Sequence, residues 1–195
     1  EFRRVLFRSL TFVLHMLRTG QKIGRQQLRG ELDAGLRSVL NAIERTADLL
    51  EEAEPDLARS LDLLADAKEL GPLEQHPTDL ARLVAALDHA LAEQVSPAEL
   101  IEVILQRLEA PVDGTGRSPA TPPGLCRLVV AMAGPEPDEL VLDPACGEGG
   151  LLLAAAMATG GEAALVGVER DPHAWAVATV RLALWGVPAD IMLGT

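Results

Sequence analysis

A chain of 195 residues is long enough for one full domain, or for one domain with a helical extension. Hydrophobic residues at 48% and charged residues at 24% are ordinary for a globular protein, while aromatics at only 3% favour helices with small aliphatic cores. A net charge of −12 argues against a chain that grips nucleic acid unaided, because that grip needs a basic stripe to displace counterions from phosphates, and leaves only a local patch for it. The two cysteines, Cys126 and Cys146, are too few for a disulfide framework or a zinc site, and the four histidines show no ligand spacing. No metal is expected, and a reduced, cytoplasmic setting fits both thiols.

Residues 1–30 form a basic N-terminal segment, with seven Lys or Arg against Glu1 alone. Its apolar run from Val5 to Leu17 is broken by Arg8 and His15 and falls short of the ~20 residues a bilayer span needs. No small-residue cleavage site follows, so a soluble protein without a membrane partner is expected. Residues 1–9 lack an initiator Met and read as non-native; a basic arm for nucleic acid is the alternative.

Residues 31–110 carry helical periodicity. Leu36, Val39, Leu40, Ile43, Ala47 and Leu50 line one stripe, and Pro55 opens a second stretch with Leu57, Leu61 and Leu64. Asp79 is placed to cap a third, running through Leu80, Leu83, Val84, Leu87 and Leu91. Ser96-Pro97-Ala98-Glu99 has the form of a capping box before a fourth helix. The segment 111–123 holds four prolines and two glycines, which forbid regular structure and mark a linker or shaped loop.

From 124 to 195 helix and strand alternate. A helix over 124–133 precedes a strand over 139–143, a glycine turn over 144–150 and a helix over 151–159. A second strand follows at 164–169. Asp171-Pro172 then opens a helix that Gly186 closes, and a third strand begins at Asp190. Short loops in a βαβαβ run imply parallel strands. The expected fold class is therefore α/β, a partial Rossmann-like sheet preceded by an α-helical region, with ligands at the carboxyl ends of the strands.

The first strand delivers Asp143-Pro144-Ala145-Cys146-Gly147-Glu148-Gly149-Gly150. Three glycines at a strand-to-helix turn call for close approach of backbone to a ligand, or for positive φ. Neither the dinucleotide G-x-G-x-x-G nor a G-K-[ST] phosphate loop is present. The carboxylate of Asp143 would repel a pyrophosphate and would favour an ammonium or a sulfonium, as in S-adenosylmethionine. Glu169 ends the second strand, where a carboxylate can accept hydrogen bonds from the hydroxyls of a ribose. Cys146 has no partner base nearby and reads as packing rather than as a nucleophile. Asp171 reads as a helix cap, Glu148 as solvent-facing and His173 as a surface residue. Trp175 and Trp185 read as core.

The octapeptide Asp143 to Gly150 resembles the D-P-A-C-G-S-G-G loop of the N6-adenine DNA methylase family, which includes the modification subunits of type I restriction systems. Ala120-Thr121-Pro122 resembles the family's [FY]-T-P signature, and Val166 to Pro172 its G-x-E-x-[DN]-P stretch. Asp190 to Gly194 resembles its third strand. The resemblance covers roughly residues 114 to 195. It implies S-adenosylmethionine as cofactor, held by Thr121, Pro122, Asp143, Pro144, Ala145, Cys146, Gly147 and Glu169. Asp143 and Gly147 would line the methionine end and Glu169 the ribose, with Thr121 and Pro122 near the methionine carboxylate. Two positions depart from the pattern: Ala120 stands for the aromatic, and Thr195 falls where the family has an Asp near the adenine.

The family's catalytic N-P-P-[FY] does not occur in the sequence. The expectation is a cofactor-binding piece of a DNA adenine-N6 methyltransferase, inactive alone, whose parent engages DNA, with a specificity subunit as a further possible partner. A methyltransferase of RNA or protein with the same fold is the alternative, and a non-catalytic helical interaction module the second. The glycine spacing disfavours a nicotinamide dehydrogenase.

Overall fold

The computed structural model describes residues 47–48, 50–65, 96–108 and 121–194, in two compact units, 1–102 and 103–195. The segment 1–30, the stretch capped by Asp79, most of the proline-rich linker, Ala120 and Thr195 lie outside the described residues. Among the described residues no helix is long and apolar enough to cross a membrane. None of their His, Cys, Asp or Glu side chains group in threes that could hold a metal.

In the first unit, helix α1 spans Pro55–Ala65. Leu57, Ala58, Leu61 and Leu64 are buried, as their spacing of three and four requires of a helix with one apolar face. Ser60 lies among them, and its buried hydroxyl is satisfied by the Asp56 carbonyl at 2.6 Å. Helix α2, Pro97–Leu108, begins with the expected reciprocal cap. The Glu99 N–H donates to Ser96 Oγ, and the Ser96 N–H to Glu99 Oε2, both at 3.1 Å.

The second unit contains α3 (Pro123–Ala133), β1 (Leu140–Asp143), α4 (Gly150–Ala158), β2 (Ala164–Glu169), α5 (Pro172–Leu184) and β3 (Asp190–Leu193). These elements follow the order and type expected, with ends shifted by a residue at α3, β1 and α4. The three strands form a parallel sheet in the order β1-β2-β3. Helix α4 packs on β1 and β2, α5 on β2 and β3, and α3 on α4.

Five consecutive residues of α4, Leu152 to Ala156, are buried, because the helix is held between the sheet and α3 and has little face left for solvent. Asp171 Oδ1 caps α5, accepting from the His173 and Ala174 N–H groups at 2.8 and 3.2 Å. Trp175 is fully buried, and its Nε1 donates to the Ile191 carbonyl at 2.7 Å, tying α5 to β3. Trp185 instead caps the end of α5 and is only half-buried.

The register assigns each strand residue to a face. Val141 pairs with Leu165, Asp143 with Gly167, Gly167 with Ile191 and Glu169 with Leu193, so these side chains share one face. Leu165 and Ile191 are buried there. The opposite face carries Leu140 (66% exposed), Leu142 (58%) and Met192 (46%), with no described element covering them. Among the described residues, helices cover the sheet on one side only.

Candidate functional site

Asp143 and Glu169 end neighbouring parallel strands, and the register sets both on the same face. Between them runs the glycine loop, tied down at several points. The Cys146 N–H donates to the Val168 carbonyl at 3.0 Å, which extends the β1–β2 ladder into the turn. The Gly147 N–H donates to Glu169 Oε2 at 2.8 Å. Glu169 Oε1 accepts from both the Arg170 and Asp171 N–H groups, each at 2.8 Å. One carboxylate therefore joins the first and second strand ends.

That count refines what Glu169 can offer a ligand. A carboxylate has about four acceptor positions. Three are taken by backbone donors, so one remains, on Oε2. Asp143 differs. Its Oδ1 accepts from the Ala145 N–H at 3.1 Å, closing an Asx turn. Its Oδ2 is buried with no hydrogen-bond partner. A buried carboxylate oxygen left unmatched is costly, and a cationic or N–H-bearing group at that point would satisfy it.

The loop backbone leaves room for such a group. Gly147 has φ +55, and a Cβ built on it would meet nothing within 4 Å. Gly149 has φ +76 and presses against a wall: a Cβ there would lie 3.3 Å from Ala178 Cβ and 3.5 Å from Leu182 Cδ1. One glycine faces open space while the other seats the turn on α5.

Cys146 is buried beneath the loop at 6% exposure. Its thiol is pushed up to about 12, chiefly by burial and further by the Asp143 and Glu169 carboxylates. That is the opposite of an activated nucleophile, and it agrees with a packing role. Its sulfur packs over Gly167, along with Leu152 and Ile191. Cys126 is also buried, at the start of α3, where its Sγ donates to the Thr121 carbonyl at 3.4 Å.

Most of the residues singled out from the sequence come together here. Asp143, Cys146, Gly147 and Glu169 meet around the turn, with Pro144 and Ala145 exposed at its start. Thr121 and Pro122 are exposed ahead of α3, and the Thr121 carbonyl lies 3.9 Å from where a Gly150 Cβ would stand. The threonine-proline segment thus reaches the far end of the loop, and its distance from the two acids is bridged by the turn itself. Glu148 and His173 are half-buried rather than fully exposed.

One residue of the site was not anticipated. Arg181, on α5, is 7% exposed and donates from Nη1 to the Glu148 carbonyl at 3.0 Å. Its only sequence signal is a single arginine three residues after Ala178, in a helix that is otherwise almost wholly apolar.

A loop with two carboxylates at its mouth and a bare backbone at its centre suits a ligand that is cationic at one end and rich in hydroxyls at the other. Residues 98–193 match the family model described as N-6 DNA Methylase. The type II methyltransferase M.TthHB8I of Thermus thermophilus is 41% identical over 95 residues, 43% of this chain and 22% of that protein. Among solved structures, the type I restriction-modification system methyltransferase subunit from Streptococcus thermophilus superimposes with a TM-score of 0.58 at 14% identity, covering 100% of this chain and 52% of that one. A modification subunit from Vibrio vulnificus YJ016 gives 0.54 at 16% identity, with 98% and 49% covered. The chain spans about half the length of these two structures, and their likeness bears on the fold. The stretch that matches the N-6 DNA methylase family, 98–193, holds the three strands, the glycine loop and both acids.

Proposed function

We propose that residues 121–194 bind S-adenosylmethionine as part of a DNA adenine-N6 methyltransferase. The observation that carries this reading is the pairing of Asp143 and Glu169 on one face of the sheet, across a loop with open space over Gly147. The unmatched Asp143 Oδ2 accepts from the ammonium of the methionine end. The free acceptor position on Glu169 Oε2 takes one ribose hydroxyl, the other three being used by backbone N–H groups. Gly147 lets the ligand lie against the main chain, while Pro144, Ala145 and Cys146 fix the path of the turn. Thr121 and Pro122 close the site from the side of α3. The cofactor supplies an electrophilic methyl group on its sulfonium; the chain's own task is to hold and orient it.

The sequence contains no N-P-P-[FY], and within the proposed methyltransferase these residues supply cofactor binding. That protein takes a target adenine out of the helix, methylates it and works in the cytoplasm, with DNA and a specificity subunit as partners. The net charge of −12 agrees with DNA contacts made elsewhere in the whole protein.

Calorimetry of the chain with S-adenosylmethionine, S-adenosylhomocysteine and NAD tests the reading. Saturable binding of the first two, absent for NAD, is the expected result. A folded chain that binds neither adenosyl ligand overturns it and favours an interaction module.

A further inference from the structure

The glycine turn is gripped from below by one face of α5. Ala178, Arg181 and Leu182 stand three and four residues apart, so they share that face. Ala178 and Leu182 meet Gly149, where an added Cβ would lie 3.3 and 3.5 Å from them. Arg181 Nη1 lies 3.5 Å from a Cβ built on Gly150, and it donates to the Glu148 carbonyl at 3.0 Å. Small residues at 149, 150 and 178 let the two elements close up, and the guanidinium then bonds the carbonyl of Glu148, the residue between the open glycine and the seated one.

A buried arginine is an expensive way to fill a helix face, since aliphatic side chains would pack there without desolvating a charge. What it provides that they cannot is a directed, charge-assisted hydrogen bond to a specific carbonyl. Fixing the Glu148 carbonyl fixes the orientation of the 148–149 peptide, and with it the path of the chain leading from Gly147. On the other side of the turn, Gly147 is fixed by Glu169. The turn is therefore held from two sides, by β2 through the Glu169 carboxylate and the Val168 carbonyl and by α5 through a guanidinium.

We propose that Arg181 is a positioning residue for the cofactor site, a clasp that holds the glycine turn in its binding-competent shape without touching the ligand. This rests on the cofactor reading given above. The clasp sets the open backbone at Gly147 before any ligand arrives, so losing it costs affinity through a looser loop rather than through a lost contact.

The test compares the chain with Arg181→Met, which keeps the volume and removes the donors. Hydrogen–deuterium exchange of the 145–150 amides should speed up about tenfold, while β2 keeps its protection, and affinity for S-adenosylmethionine should fall by about tenfold. Equal acceleration of the loop and β2, or an unchanged loop, would overturn the proposal, since either outcome reduces Arg181 to packing. If Arg181→Met does not fold, NMR of the unaltered chain decides. Separate, slowly exchanging Arg181 guanidinium signals are expected, and averaged ones like those of a free side chain would overturn the clasp. Failure of the unaltered chain to bind S-adenosylmethionine would sink the cofactor reading, while the exchange and NMR measurements would still judge the clasp.

Discussion

The Gly147 N–H and Glu169 Oε2 are 2.8 Å apart, and this one bond joins the glycine turn of the first strand to the acid that ends the second. With Arg170 and Asp171 donating to Oε1, the carboxylate organises three backbone groups before it meets any ligand. Glu169→Gln has one acceptor oxygen, so its amide NH2 must face either Gly147 or the 170–171 pair, donor against donor. We expect a loss of about 1–3 kcal/mol, seen as a melting temperature lower by several degrees. A variant melting with the parent would show that the carboxylate does not organise the loop.

Asp143 should behave in the opposite sense. Its Oδ2 is buried and unmatched, whereas Oδ1 already serves the Ala145 N–H. Asp143→Asn keeps the Oδ1 bond and puts a neutral group where the unmatched oxygen stood. The ligand-free melting temperature should stay level or rise, while affinity for S-adenosylmethionine falls by about tenfold or more. Scanning calorimetry and titration on the same samples separate the two effects. A drop in both would make Asp143 structural.

The sequence made β1, the glycine turn and the acid at the end of β2 legible because each has a local cause: apolar runs of strand length, positive-φ glycines, a capping Asp171. Asp143 and Glu169 could also be set together, since parallel strands joined by short crossovers put their carboxyl ends side by side. What stayed hidden depends on contacts between distant segments. Arg181 reaches Glu148 across 33 residues, and no periodicity announces it. Nor does the sequence alone show that Glu169 spends three acceptor positions on its own backbone, because Gly147 lies 22 residues away. The exposed sheet face was equally out of reach, since only the register shows that Leu140 and Leu142 turn away from the helices.

That open face gives a contrast in cost. Leu152, on α4, is fully buried, whereas Leu142, on β1, is 58% exposed. Leu152→Ala should destabilise by about 2–5 kcal/mol, through lost burial and the cavity left behind. Leu142→Thr should cost about 0.5 kcal/mol or less, since the leucine buries little and Thr suits a strand. Denaturant titration of both variants checks this. Comparable losses would mean that the far face of the sheet is covered.

Gly167 sits where β2 passes beneath the loop. A Cβ there would lie 2.9 Å from Cys146 Sγ, Leu152 Cδ1 and Ile191 Cδ1 alike. Three elements converge on that point, so no single side chain can swing clear and relieve the crowding. Gly167→Ala should therefore destabilise by about 1–3 kcal/mol. Adding Cys146→Ala removes one of the three collisions and should return only part of the loss, which a double-mutant cycle measures. Full recovery would mean that Leu152 and Ile191 adjust freely, and a neutral Gly167→Ala would place the strand farther from its neighbours.

The Cys146 thiol provides the last test, in pH. In the folded chain it is pushed up to about 12 from an ordinary value of 9.0, first by burial and then by Asp143 and Glu169. The folded value lies above the unfolded one, so the folded state holds its proton more tightly. That contribution to stability is fully present below the ordinary thiol value and is lost as pH rises from about 9 toward 12. Melting temperatures should therefore fall over this window more steeply for the parent than for Cys146→Ala. The native thiol should also resist alkylation under mildly alkaline conditions that label it once the chain is unfolded. Fast native labelling of Cys146, or identical pH profiles for the two proteins, would show that the thiol is neither buried nor overlooked by the two carboxylates.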